Sequence, residues 1–199
     1  MGLKTKVLVN QINNLSDARY CAGMGADYLG FNLEPKSDHY LDPEKFKELI
    51  SWVSGPEFVG EFHNTPVNEI INISSLYSID HIQITDIQYI KELKKLNFST
   101  ILEISSEYFT EQLAQEYHEG VFYFLVKLPA LNSSEYSRIS ALAEQYPILL
   151  GGEFQLNQVN QIVKDPFNGI AIQGGEEIKP GFREFDEMAD ILEMLEIED

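Results

Sequence analysis

Cysteine is almost absent from this chain: Cys21 stands alone among 199 residues. A lone thiol cannot close an internal disulfide, which fits a reducing compartment, and its position within a helical pattern reads as a small buried hydrophobe. Positive charge is scarce as well, with 14 Lys and Arg against 32 Asp and Glu and a formal net charge of −18. A field of that sign repels phosphate backbones and anionic lipid, so neither nucleic acid nor a membrane is expected as a partner. It also opposes recruitment of an anionic small molecule, so a site for one needs local donors strong enough to overcome it. Long apolar runs are missing too. No stretch approaches the roughly 20 residues that cross a bilayer, and Met1-Gly2-Leu3-Lys4-Thr5-Lys6 leads into a strand pattern without a signal-peptide core. A cytoplasmic protein is expected. Composition shifts sharply nowhere, and 44% hydrophobic content is enough for one sizeable core, so residues 1–199 are expected to form a single domain.

What is present is alternation. Short β-branched or aromatic runs near Lys6 to Ile12, Tyr28 to Leu33, Phe58 to His63, His81 to Ile84, Thr100 to Ile104, Val121 to Lys127, Ile148 to Leu150 and Gly169 to Gln173 read as strands. Amphipathic stretches lie between them. Asn14 precedes Leu15, Ala18 and Ala22 at helical spacing, and Thr65-Pro66 offers a cap and a first-turn proline before Val67, Ile70 and Ile71. Ser106 and Ser133 stand in similar cap positions, and Phe185, Met188, Leu192 and Leu195 share one face of a last helix. The acidic end, Glu196 to Asp199, reads as a solvated fray. Eight strand and helix units in so short a chain predict an α/β fold, a compact (β/α)8 TIM barrel, with a doubly wound open sheet as the alternative.

One stretch carries a resemblance. Gly30-Phe31-Asn32-Leu33-Glu34-Pro35-Lys36-Ser37-Asp38-His39-Tyr40 resembles the Gly-Phe-x-Phe-x-Pro-Lys-Ser-x-Arg-Tyr signature of phosphoribosylanthranilate isomerases, with His39 in place of the arginine. Upstream, Leu8 to Asn14 followed by Leu15-Ser16-Asp17-Ala18 is similar to the family's Lys-Ile-Cys-Gly-Ile-Thr-Asn and Leu-x-Asp-Ala, with Asn10 at the cysteine. Gly25 to Phe31 and Val59 to Asn64 match the lead-in to its second strand and its third strand, and Gln83 keeps the glutamine of its fourth. The resemblance implies the barrel, a place in tryptophan biosynthesis, and an Amadori rearrangement of a phosphosugar without a cofactor. It assigns the base to the cysteine and the acid to an aspartate ending the sixth strand. Here that aspartate is Val126 or Lys127. Base, acid and substrate arginine are thus all exchanged, and the family chemistry is not expected in its usual form.

The resemblance also implies a phosphate cradle of backbone N–H groups after the seventh and eighth strands, at Gly151-Gly152 and Gly174-Gly175, with Glu153 and Glu176 added beside them. Plain turn geometry explains the same glycines. A barrel keeps its chemistry at the carboxyl ends of its strands, where Asn10, Asn32, Glu61, His63, Gln83, Glu103, Lys127, Glu153 and Gln173 fall. Asn10, Glu61, Glu103 and Lys127 are the candidate catalytic group, and His39, Asn32 and Gln83 the candidate substrate contacts. Each has a structural reading beside this one: Glu61 as an ion at the rim paired with Lys127, or Glu103 as the lysine's inward partner. His81 and His118 read as structural or exposed. Glu61, His63 and Glu103 could hold a metal by residue type, but their spacing carries no metal signature and none is expected. Three functions remain open: a barrel binding a small, phosphorylated or otherwise anionic ligand without the standard rearrangement, an isomerase with relocated acid and base, or a non-catalytic interaction barrel.

Overall fold

In the computed structural model the described residues are 2–129, 134–152, 155–174, 177–179, 182–183 and 185–197, with backbone alone within 177–186. Eight parallel strands pair in chain order and the first pairs with the last, so the sheet closes and the open-sheet alternative falls. They are β1 Lys6–Asn10, β2 Tyr28–Asn32, β3 Glu57–Phe62, β4 His81–Ile84, β5 Ser99–Ser105, β6 Tyr123–Lys127, β7 Ile148–Gly151 and β8 Gly169–Gln173. The helices outside them are α1 Leu15–Met24, α2 Pro43–Ile50, α3 Val67–Ser74, α4 Ile90–Lys95, α5 Glu111–Tyr117, α6 Ser134–Ala143, α7 Leu156–Ile162 and α8 Phe185–Leu195. A short antiparallel pair, β9 Glu177–Lys179 and β10 Phe182–Arg183, lies in the connection from β8 to α8. No described helix is long and apolar enough to cross a membrane.

Local chemistry explains most boundaries. Asn14 caps α1 by accepting from Asp17 N–H, and Gly25 ends it at φ 90°, where a side chain would be strained. β1 stops at Asn10, short of the expected Ile12, because Gln11 turns the chain at φ 58°. Two expected caps serve elsewhere. The Thr65 hydroxyl donates to Glu34 while Pro66 occupies the cap of α3, and the Ser106 hydroxyl donates to Glu135 while Thr110 caps α5. Ser133 lies outside the described residues.

Inward and outward side chains alternate along each strand. Outward residues such as Val9, Phe31, Phe62, Leu102, Phe124, Val126, Leu150 and Ile172 join the helices in one apolar shell. Inward ones form a second core of Leu8, Tyr28, Val59, Ile101, Tyr123, Leu125, Leu149 and Ala171. Following the registers around the ring, with the stagger typical of eight-stranded barrels, sorts the interior into layers of four from alternate strands. Tyr28, His81, Tyr123 and Gly169 close the amino end, where the His81 ring lies between Ser99 Oγ (2.7 Å) and Glu57 Oε2 (2.6 Å) and stacks on Phe122. Above them lies the apolar layer Leu8, Val59, Ile101 and Leu149, then Gly30, Gln83, Leu125 and Ala171. The next layer is Asn10, Glu61, Glu103 and Gly151, and the rim carries Asn32, Thr85, Lys127 and Gln173. The interior is thus apolar through its middle and polar at the carboxyl end, where the candidate residues gather.

Candidate functional site

Strand periodicity brings the four candidate catalytic residues to one end of the barrel interior. Glu61 and Glu103 share a layer, and Lys127 reaches from the rim to Glu103, its Nζ 2.6 Å from Oε1. Gln83 Nε2 donates to Glu103 Oε2 at 2.7 Å, and His63 Nε2 stands 3.7 Å from the same oxygen. The pairing of Lys127 is therefore with Glu103, and the alternative of a Glu61–Lys127 rim pair is corrected. Val126 packs outward in the shell, so of the two expected positions at the end of β6 Lys127 is the one that faces the mouth.

The two carboxylates sit in opposite electrostatic conditions. Burial pushes Glu61, 1% exposed, up to about 7; the Gln11 N–H, 2.8 Å from Oε1, and the charges of His63 and Lys127 only partly oppose it, while Glu103 adds to it. Burial works the same way on Glu103, but His63 and Lys127 overcome it and hold that carboxyl down to about 2. Lys127 is the closer of the two partners and the only one at hydrogen-bond distance. His63 is itself raised, chiefly by Glu103 and against the effect of burial, with Glu61 and Glu34 adding. Two groups with raised pKa values, Glu61 and His63, thus face an ion pair.

Two contributors escaped the reading of the sequence. Glu34 is buried beneath the loop after β2: its Oε1 accepts from Asn64 N–H and Thr65 Oγ1, each at 2.7 Å, and its Oε2 lies 3.7 Å from His63 Nδ1. Burial opposes its ionisation, and the two donors outweigh it, so its pKa is lowered. It stands inside the signature run at a variable position, so nothing marked it. Gln11 binds Glu61 through a backbone N–H that only its positive φ aims inward, and a glutamine gives no sign of that.

The candidate substrate contacts divide. Gln83 is in the cluster, whereas Asn32 works locally, its Oδ1 accepting from Glu34 N–H at 3.1 Å. His39 lies exposed on the loop after β2, outside the buried cluster, with its backbone N–H 3.2 Å from Ser37 Oγ. Of the expected phosphate glycines, Gly174 spends its N–H on Asn10 O at 2.7 Å, so its role is closure of the barrel rather than donation to an anion. Gly152 has φ 151°, and a Cβ at Gly151 would meet Leu125 at 2.9 Å, so both need glycine for backbone or space. Gly175, Glu153 and Glu176 lie outside the described residues. No group of three His, Cys, Asp or Glu able to hold a metal occurs among the described residues.

Gly30 makes the room that Glu61 occupies. A Cβ there would fall 2.1 Å from Glu61 Oε1 and 2.9 Å from Asn10 Oδ1. Gly30→Ala is expected to cost about 1–3 kcal/mol in urea unfolding by displacing both side chains, and less than 0.5 kcal/mol, roughly the surface-substitution range, would mean that Glu61 swings aside freely.

Comparison with known proteins bears on this end of the barrel. The family model for N-(5'phosphoribosyl)anthranilate (PRA) isomerase matches residues 7–194. The chain belongs to that family. Curated relatives include PRA isomerases of Syntrophus aciditrophicus, 25% identical over 94% of this chain and 86% of the relative, and of Thermotoga maritima, 28% identical over 91% and 93%. Among solved structures, the PRA isomerase of Thermus thermophilus superposes at a TM-score of 0.78 with 18% identity, covering 96% of this chain and 98% of its own. Another, at 0.73 and 21% over 96% and 98%, is a complex with reduced 1-(o-carboxyphenylamino)-1-deoxyribulose 5-phosphate. At such identities the superpositions speak for the fold. The family membership rests on the sequence match, which runs through all eight strands.

Proposed function

We propose that this barrel binds a small phosphorylated ligand at the carboxyl end of its strands and does not carry out the family's Amadori rearrangement in its usual form. The rearrangement needs one group to take a proton from a sugar carbon and another to protonate the ring oxygen. The observation that carries the reading is the state of the two exchanged positions. Asn10 offers an amide that does not titrate, and Lys127 is engaged with Glu103 at 2.6 Å. Family membership and the phosphorylated compound bound by the relative support a ligand of this kind. The direct test is turnover of PRA generated in situ, together with rescue of a tryptophan auxotroph lacking the isomerase. Little or no turnover is expected, and robust growth would overturn the reading.

One observation favours a second reading. Glu61, raised to about 7 and beside Asn10, is placed to act as a relocated base, with the raised His63 as acid. On that reading the wild type turns over PRA and Glu61→Gln abolishes it. Phosphate binding is separable from both. Inorganic phosphate at a hundredfold excess over its dissociation constant should stabilise the fold by about 2.7 kcal/mol, and a melting temperature indifferent to phosphate would leave the glycines as turns only.

A further inference from the structure

The floor of the mouth holds more acceptors than the protein has donors for. Buried side-chain atoms without a hydrogen-bond partner, among the described residues, are Asn10 Oδ1, Gln11 Oε1, Gln83 Oε1 and Ser74 Oγ, and the three amide oxygens all belong to residues at the barrel mouth. Asn10 is 4% and Gln83 1% exposed. The Gln83 orientation is fixed, because turning its amide over would set its oxygen against the ionised Glu103 carboxylate that its nitrogen now serves. Flipping Asn10 would leave Gln83 Oε1 unpartnered all the same.

Beside these oxygens stands a carboxylate with no ion pair among the described residues, His63 and Lys127 acting on it only from farther off. Glu61 converges with Asn10 Oδ1 over Gly30, accepts one backbone N–H, and has lost the nearest lysine to Glu103. Protonation of Glu61 does not resolve the shortage, since one O–H serves one acceptor and leaves two amide oxygens bare. A water would serve the oxygens but not the charge. A primary ammonium answers both, with N–H donors for the amide oxygens of Asn10 and Gln83 and a positive charge for Glu61.

We infer that the floor formed by Asn10, Glu61 and Gln83 receives a protonated primary amine, so that the ligand of this barrel is an amine-bearing sugar or polyol phosphate. This rests on the proposed binding of a phosphorylated ligand and adds the group at its other end. The net charge of −18 favours the amine in turn, since a zwitterionic ligand meets less repulsion than a sugar phosphate alone.

Calorimetric titration with glucosamine 6-phosphate and with glucose 6-phosphate isolates the amine, because the two differ there and share the phosphate. The amino sugar is expected to bind at least tenfold more tightly. In Glu61→Gln, which keeps the shape and the acceptor for Gln11, that preference should collapse to about onefold. Equal binding of both sugars to the wild type, or a preference that survives Glu61→Gln, overturns the amine inference and leaves the phosphorylated-ligand reading intact. Failure of both sugars overturns that reading instead. The floor is then decided by ethanolammonium chloride: saturable stabilisation beyond that of sodium chloride, lost in Glu61→Gln, supports the amine site, and its absence ends it.

Discussion

Glu61→Gln is expected to make the protein more stable at pH 8 by about 3 kcal/mol and to leave it nearly unchanged at pH 4. The carboxyl titrates near 7 in the fold against an ordinary 4.5, because burial disfavours its charge. The folded state therefore holds this proton more tightly than the unfolded chain does. Stability from this group is full below pH 4.5, declines as pH rises towards 7 by about 1.4 kcal/mol per unit, and stays at its lower level above that. Glutamine cannot ionise, so the variant escapes the decline while its carbonyl still accepts from Gln11 N–H. Urea unfolding of both proteins across pH 4 to 8 checks it. Parallel curves would mean that Glu61 reaches solvent or a cation in solution, and its use as the charged element of the floor would fall with them.

The opposite sign is expected one strand pair away. Glu103 is held down to about 2, so it contributes stability above pH 4.5 that is lost as pH falls from there through 2. Glu103→Gln should therefore cost about 3 kcal/mol at pH 7, and the two proteins should converge on acidification. Lys127, 40% exposed at its side chain, can turn its ammonium to water, which limits the penalty for orphaning it. His63 loses its main reason to be protonated, and its titration in the variant should move down, which proton NMR reads directly. A loss below 1 kcal/mol at pH 7, roughly what an exposed pair contributes, would show that the network is solvated rather than structural. Because Glu61 and Glu103 share a layer, the double variant should depart from additivity.

How much of this was legible in the chain can be judged residue by residue. The eight strands were readable because β-branched runs alternate with amphipathic stretches, and their expected boundaries fall within about three residues of those in the barrel. The lineage was readable from Gly30 to Tyr40 and from the glycines after β7 and β8. A mouth lined by Glu61, Glu103 and Lys127 was expected from polar residues at strand ends, although which of these point inward was not readable, because side chains alternate along each strand. The caps were harder to read. Thr65 and Ser106 satisfy every local rule for starting a helix, yet each hydroxyl is claimed by a glutamate from another unit, a contact whose strength local sequence does not register.

By itself, then, the sequence determined where the strands run and that the residues of each fall into two alternating sets, because a period of two gives every strand two faces whatever its neighbours do. Tertiary structure alone decided how the inner residues are matched. Val126 and Lys127 are equivalent on paper until the register turns one into the shell and the other into the mouth. Lys127 could have paired with either glutamate, and the layering gave it to Glu103, leaving Glu61 buried with a single backbone donor. That division sets one carboxyl near 2 and the other near 7, although the two are the same residue type on neighbouring odd strands. The reason is that charge and hydrogen bonding act over a few ångströms across strands, a distance that the ring of registers fixes and the order of residues along the chain does not.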